Sequence, residues 1–268
     1  MIVHVVSSWL RLPAGAYVRH LPPVHSPLRR LLFAELAVVL TVTFATTGVR
    51  SAARLISALL APVPLNQQQV VIHTPQSSVG WLEVLLQLTS SVSLLAWGGL
   101  AWLLLSRDGV LWRQGDRTDV GWGVLLAAIV GIPGLGLYAM SLQFGWTKQV
   151  IPSALTSPFA EIPLLLLAAA AAAVAEEMVV VGWLCTRLAQ LRWHAGWIVL
   201  CSAVLRGSYH LYQGISAGFG NLAMGLLFGW VFLRTGRVWP LVIAHFVLDV
   251  VAFIGPVLFS GQLSFVGL

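Results

Sequence analysis

The sequence predicts an all-α fold: a polytopic membrane helix bundle of about seven transmembrane helices, with the N-terminus inside and the C-terminus outside. Composition is the first observation. Of 268 residues, 58% are hydrophobic and 9% charged, against about 25% charged in soluble domains. Mean hydropathy is +0.88, and apolar stretches long enough to cross a bilayer recur along the chain. Twelve tryptophans suit helices that meet the bilayer interfaces repeatedly. The formal charge of +6 is scattered over short connections, with no run or stripe that would track phosphates. The lipid bilayer is therefore the expected partner, and nucleic acid is not.

Each element has its own sequence signal. Residues 1–12 are apolar but short and broken by His4, Ser7, Ser8 and Arg11, so they lack the usual form of a signal peptide. Ile2, Val5, Val6, Trp9 and Leu10 fall at helical spacing, which suits an interfacial helix. Pro13, Pro22, Pro23 and Pro27 predict a non-helical lead ending at Arg29-Arg30. Span one then runs from about Leu31 to Val49, with Glu35 near enough to its start to reach the interface or an arginine. A continued helix, Ser51 to Leu60, leads into the longest loop, rich in proline and glutamine. Span two is Trp81 to about Leu105, and a charged turn follows.

Span three, about Val120 to Phe144, carries Gly131-Ile132-Pro133-Gly134, which predicts a kink or a close helix contact. Span four, about Glu161 to Leu188, presents Ala168 to Ala173, a smooth surface for neighbouring helices. Spans five, six and seven cover about Ala195–Tyr212, Ala217–Leu233 and Val238–Leu258. In span six, Gly218, Gly225 and Gly229 form a narrow packing face, and Asn221 is available for an interhelical hydrogen bond. Cys185 and Cys201 lie in apolar surroundings without Cys-x-x-Cys spacing and read as small buried hydrophobes. The domain reading is an N-terminal cytoplasmic or interfacial segment (1–30), three helices (31–158) and a four-helix core (159–268).

Basic residues fix the orientation. With the N-terminus inside, eleven arginines fall in inner connections, while Arg50, Arg54 and Lys148 fall in outer ones. The remaining basic residue is Arg206, within span five.

The candidate site begins at Glu176-Glu177, two carboxylates in a helix of Leu, Ala and Val. Ionisable groups in hydrocarbon are costly and seek polar partners at the same depth. At about 1.5 Å per residue from the cytoplasmic helix ends, Glu176 and Glu177 lie roughly 17 Å in, His210 roughly 22 Å, His245 roughly 10 Å and Asp249 roughly 16 Å. That suits one site in the middle to cytoplasmic half of the bilayer. Arg206 and His210 share a face of span five, as His245 and Asp249 do in span seven. Any one of these could simply bond a neighbouring helix, but six on three helices predict a functional cavity. Such a set can activate water, with a Glu taking the proton and His holding the oxyanion. Glu176, His210 and His245 could alternatively hold a divalent metal such as zinc, although no His-Glu-x-x-His signature is present.

These residues resemble the motifs of the CAAX-protease and bacteriocin-processing family of intramembrane endopeptidases, over about residues 160–256. The family's Glu-Glu-x-x-x-Arg, Phe-x-x-x-His and His-x-x-x-Asn/Asp correspond to Glu176-Glu177-Met178-Val179-Val180-Val181, Arg206-Gly207-Ser208-Tyr209-His210 and His245-Phe246-Val247-Leu248-Asp249. The resemblance implies an intramembrane endopeptidase acting on a peptide or protein substrate. It implies that Glu176 and His210 activate water, that His245 and Asp249 support the oxyanion or complete the polar site, and that Glu177 is the accompanying carboxylate. Two positions depart from the pattern: Val181 stands where the family has Arg, and Arg206 where it has Phe. The expectation is that Arg206 supplies from span five the charge missing from span four.

Two other functions are compatible with the residues: a transporter or proton relay, and a non-catalytic scaffold or immunity-type membrane protein. The confinement of the ionisable cluster to spans four to seven weighs against an inverted-repeat transporter. An Arg-rich, Lys-poor chain suggests a bacterial source, and hence the bacterial plasma membrane.

Overall fold

Seven helices, two short strands and two 3₁₀ turns account for most of the computed structural model, which describes residues 17, 21, 26–151 and 158–258. Helix α1 comprises Ser26–Leu40, a π-helical turn at Thr41–Ala45, and Thr46–Leu59. Helix α2 is Gly80–Arg107 and α3 is Arg117–Gln143. Helix α4 comprises Pro158–Glu176, a π-helical segment Glu177–Trp183, and Leu184–Gln190. Helices α5, α6 and α7 are Ala195–His210, Ile215–Thr235 and Trp239–Leu258. Among the described residues, five helices (α1 to α4 and α6) are long and apolar enough to cross a membrane. At 16 residues, α5 reaches only about 24 Å.

The helices alternate in direction, as contacts between their connections demonstrate. At one end, the connection after α1 forms β1 (Gln69–Val71), which pairs in parallel with β2 (Gln149–Ile151) from the connection after α3. Thr147 bridges Gly214 between α5 and α6, so three alternate connections meet there. At the opposite end, the Arg113 amide donates to the Gly236 carbonyl, and Arg187 pairs with Asp108 at 2.8 Å. That end gathers nine arginines, including Arg29, Arg107, Arg192 and Arg234, whereas Arg50, Arg54 and Lys148 mark the strand-bearing end. The positive-inside rule assigns the basic end to the cytoplasm.

Local chemistry explains the boundaries. Asp116 opens α3 with a reciprocal capping box, accepting from the Thr118 amide while its own amide donates to Asp119. Gly236 ends α6 at φ +66, a left-handed conformation that suits glycine. Helix α1 begins at Ser26, five residues before the sequence expectation, because a proline in the first turn lacks only a hydrogen bond that no helix start can make. The expected interfacial helix over residues 1–12 lies outside the described residues.

The seams follow small residues. Along the α5–α6 seam, a Cβ on Gly225 would fall 2.7 Å from the Ala203 backbone, and one on Gly207 would fall 2.8 Å from the Gly218 carbonyl. Between α3 and α7, Gly131 faces Leu248 and Gly123 faces Ile243, so the Gly-Pro stretch makes a close contact within a continuous helix. Asn221 departs from expectation. Its amide donates to the Ala217 carbonyl of its own helix at 3.1 Å, because glycine-mediated packing already closes that seam. Glu35 meets its arginine: Arg187, fully buried, donates to it at 2.7 Å and also to Gln190 and the Leu104 carbonyl.

The β1–β2 ladder and the π segments had no sequence expectation. Each strand is three residues long in a polar connection, too short for an alternation pattern to register.

Candidate active site

Helix α4 supplies two adjacent carboxylates, and its change of winding lets both serve one site. The π segment starts at Glu177 and runs through Val179-Val180-Val181, where three β-branched side chains crowd an α-helical turn. Wider winding lowers the angle between successive side chains, so Glu176 and Glu177 face the same crevice. Such segments are common at functional sites. Two contacts sustain it. Ser202 of α5 donates to the Val180 carbonyl at 2.7 Å, and the Trp112 ring lies on Gly182, where a Cβ would fall 2.6 Å from it.

Glu177 is completely buried, as is Arg206. The Arg206 Nη2 donates to Glu177 Oε1 in a short ion pair, and its Nη1 lies 3.7 Å from Glu176 Oε2. The same Glu177 oxygen accepts from His245 Nδ1 at 2.7 Å. Behind the guanidinium, Phe228 offers its ring face at 5.6 Å and Met224 its sulfur at 3.7 Å, both from α6. The charge that the sequence pattern lacks at Val181 is thus supplied by α5.

Glu176 is held differently. The Tyr209 hydroxyl donates to its Oε2 at 2.7 Å. Its other oxygen carries no hydrogen bond among the described residues, and its side chain is 13% exposed, so this oxygen is the accessible one. His245 Nε2 faces Glu176 Oε2 at 3.9 Å and Asp249 Oδ2 at 3.6 Å, distances that a bridging water or a small rotation would span.

His210 is the last residue of α5, and its Nδ1 lies 3.1 Å from the Arg206 carbonyl. A carbonyl only accepts, so Nδ1 carries the proton, and neutral His210 keeps a lone pair on Nε2. The Tyr209 ring stands between Phe44 of α1 and the His210 ring, with centroids 4.9 and 4.7 Å away.

Helices α4, α5 and α7 thus bring together Glu176, Glu177, Arg206, His245 and Asp249, with His210 beside them at the end of α5. The cluster sits roughly 9–22 Å from the basic helix ends. Short α5 ends at His210, so the connection to α6 follows directly beside the cluster. Sequence reasoning gave no role to Tyr209. It lies inside the motif, adjacent to His210, and a phenol buried in an apolar helix needs a partner, which was the available signal. Ser202, Phe228 and Met224 carried no such signal.

Among the described residues, no three His, Cys, Asp or Glu side chains converge as a metal ion would require. Glu177 is already engaged by Arg206 and His245, and His210 Nδ1 by a carbonyl.

Residues 158–251, which carry α4 to α7 and every residue of this cluster, match the family model described as Rce1-like, type II CAAX prenyl endopeptidase. Over this segment the chain is similar to that family. The match over the α4–α7 core and the long apolar helices support a multi-pass membrane protease of the CAAX class, a hydrolase acting on a peptide or protein substrate. The matched segment contains Glu176-Glu177, and the arginine that pairs with Glu177 comes from α5. Neither the curated proteins nor the solved structures returned a match.

Proposed function

We propose that this protein hydrolyses a peptide bond within the membrane with a water activated jointly by Glu176 and His210. The observation that supports this reading most is the division of labour within the carboxylate pair. Glu177 is locked by Arg206 and His245, while Glu176 is fixed by Tyr209 through one oxygen and keeps the other accessible. A water between that oxygen and His210 Nε2 would lose its proton to them as it attacks the scissile carbonyl. His245, oriented by Glu177 and facing Asp249, is placed to donate to the oxyanion, and the proton held by Glu176 or His210 then passes to the leaving amine. Arg206 and Glu177 position these groups without touching substrate. This route requires no metal.

Prenylated C-terminal peptides are the substrate class named in the family description, and a membrane-anchored peptide suits a site at this depth. The compartment in this reading is the bacterial plasma membrane. The test compares peptide termini in membranes containing wild type or Glu176→Ala, complemented by turnover of a prenylated tetrapeptide by the purified full chain. Termini present only with wild type support the reading. Unchanged activity in both Glu176→Ala and His210→Ala would refute it.

A further inference from the structure

Where α1, the β1–β2 ladder and the α5–α6 connection meet, an open pocket of about 420 Å³ lies outside the catalytic cluster. Arg54 and Ser57 of α1, Lys148 of the β2 connection, and Tyr212 line it, with Gln68 in its wall. No carboxylate does. Among the described residues neither Arg54 nor Lys148 forms a salt bridge, although Arg187, Arg206 and Arg237 are all matched to acids. Tyr212 accepts from the Gln213 side chain at 2.9 Å, which leaves its own proton free to donate. The polar lining thus offers two cations and two hydroxyls.

The frame holds these donors in place. The Tyr212 amide donates to Ser51 at 2.7 Å, the Lys148 amide to the Gln213 carbonyl at 3.1 Å, and the Gln149 amide to the Gln68 carbonyl at 2.9 Å. Burial, and then the facing Arg54 charge, push the Lys148 ammonium below its ordinary value. A bound anion would offset both.

The surroundings say which anion. Toward the bilayer centre from Arg54, Val42, Val49 and Ala53, with Thr46 among them, form one exposed, mostly apolar stripe on α1, following the helical spacing of 4, 3 and 4 residues. It extends roughly 16 Å toward the bilayer centre. Cationic donors at the water boundary above an apolar strip match a phospholipid, with its headgroup in the pocket and an acyl chain along α1.

We propose that this pocket binds a phosphate group, carried by an anionic glycerophospholipid of the adjacent leaflet. The bound headgroup ties α1 to the connection that follows His210, so its occupancy braces the connection beside the catalytic cluster. The inference stands independently of the proposed hydrolysis.

The test uses the full chain in nanodiscs of phosphatidylcholine with or without phosphatidylglycerol, read by native mass spectrometry and by lipid-dependent thermal stability. Wild type should retain phosphatidylglycerol. Arg54→Gln/Lys148→Gln should lower its affinity about tenfold or more, and Lys148→Arg should keep it. Thermal stability without the anionic lipid separates loss of the site from failure to fold. Inorganic phosphate is added to the phosphatidylcholine discs. If it binds there and displaces the lipid, the phosphate chemistry stands but the lipid source is overturned. Equal retention by wild type and the double variant overturns the site, as does preferential binding of a peptide carboxylate over either phosphate.

Discussion

Replacing Arg206 by leucine isolates the charge that α5 supplies. Arg206 and Glu177 are both fully buried, and among the described residues the guanidinium is the only permanent cation touching either carboxylate. Removing one partner of such a pair leaves a buried charge uncompensated, at a cost of about 3–5 kcal/mol. Here His245 remains as a donor to Glu177, so the lower end of that range applies. Arg206→Leu should therefore unfold earlier by about 3 kcal/mol in a detergent titration followed by tryptophan fluorescence, and turnover should fall at least as steeply. Adding Glu177→Gln removes the orphaned charge and should restore stability to within about 1 kcal/mol of wild type, without restoring activity. The Arg206→Phe/Val181→Arg variant returns the charge to its place in the family pattern and should be more stable than Arg206→Phe alone. An Arg206→Leu protein as stable as wild type, with no coupling to Glu177→Gln, would show that the pair does not carry the buried charge.

Three further outcomes follow from other contacts. Tyr209→Phe removes a hydrogen bond to a carboxylate worth about 1.5–3 kcal/mol, so kcat should fall roughly 10- to 100-fold with KM little changed, and a matched loss in KM alone would refute the positioning role. Ser202→Ala strands the Val180 carbonyl in the π segment and should cost about 1–3 kcal/mol in the same unfolding assay, whereas a neutral result would mean that the segment holds itself. At the start of α3, the Thr118 hydroxyl, followed by Arg237, holds the Asp116 carboxyl well below its usual range. Its stabilising effect is complete above the unfolded carboxylate value near 4 and is lost only as pH falls through the depressed folded value. The difference in stability between wild type and Asp116→Asn should thus persist to about pH 4 and shrink only below it.

The helices and their order were legible in the sequence because a membrane helix needs about 20 apolar residues and must satisfy its own backbone, which composition alone reveals. The carboxylate pair, both histidines, Asp249 and Arg206 were legible because ionisable groups are rare enough in hydrocarbon to stand out singly. Depth along each helix even limited which of them could meet. What remained hidden depends on neighbours distant in sequence. Whether Arg206 turns toward Glu177 is decided by how α5 rotates against α6, where Gly207 and Gly225 set the seam. The winding of α4 at Glu177 depends on Ser202 taking a carbonyl from another helix. Tyr209 became a partner of Glu176 only when Phe44 and His210 fixed its ring. The sequence by itself determined the bundle and the inventory of charges. Tertiary structure decided which carboxylate is locked and which is left open to water, because the direction of a side chain is set by packing and does not follow from the order of residues.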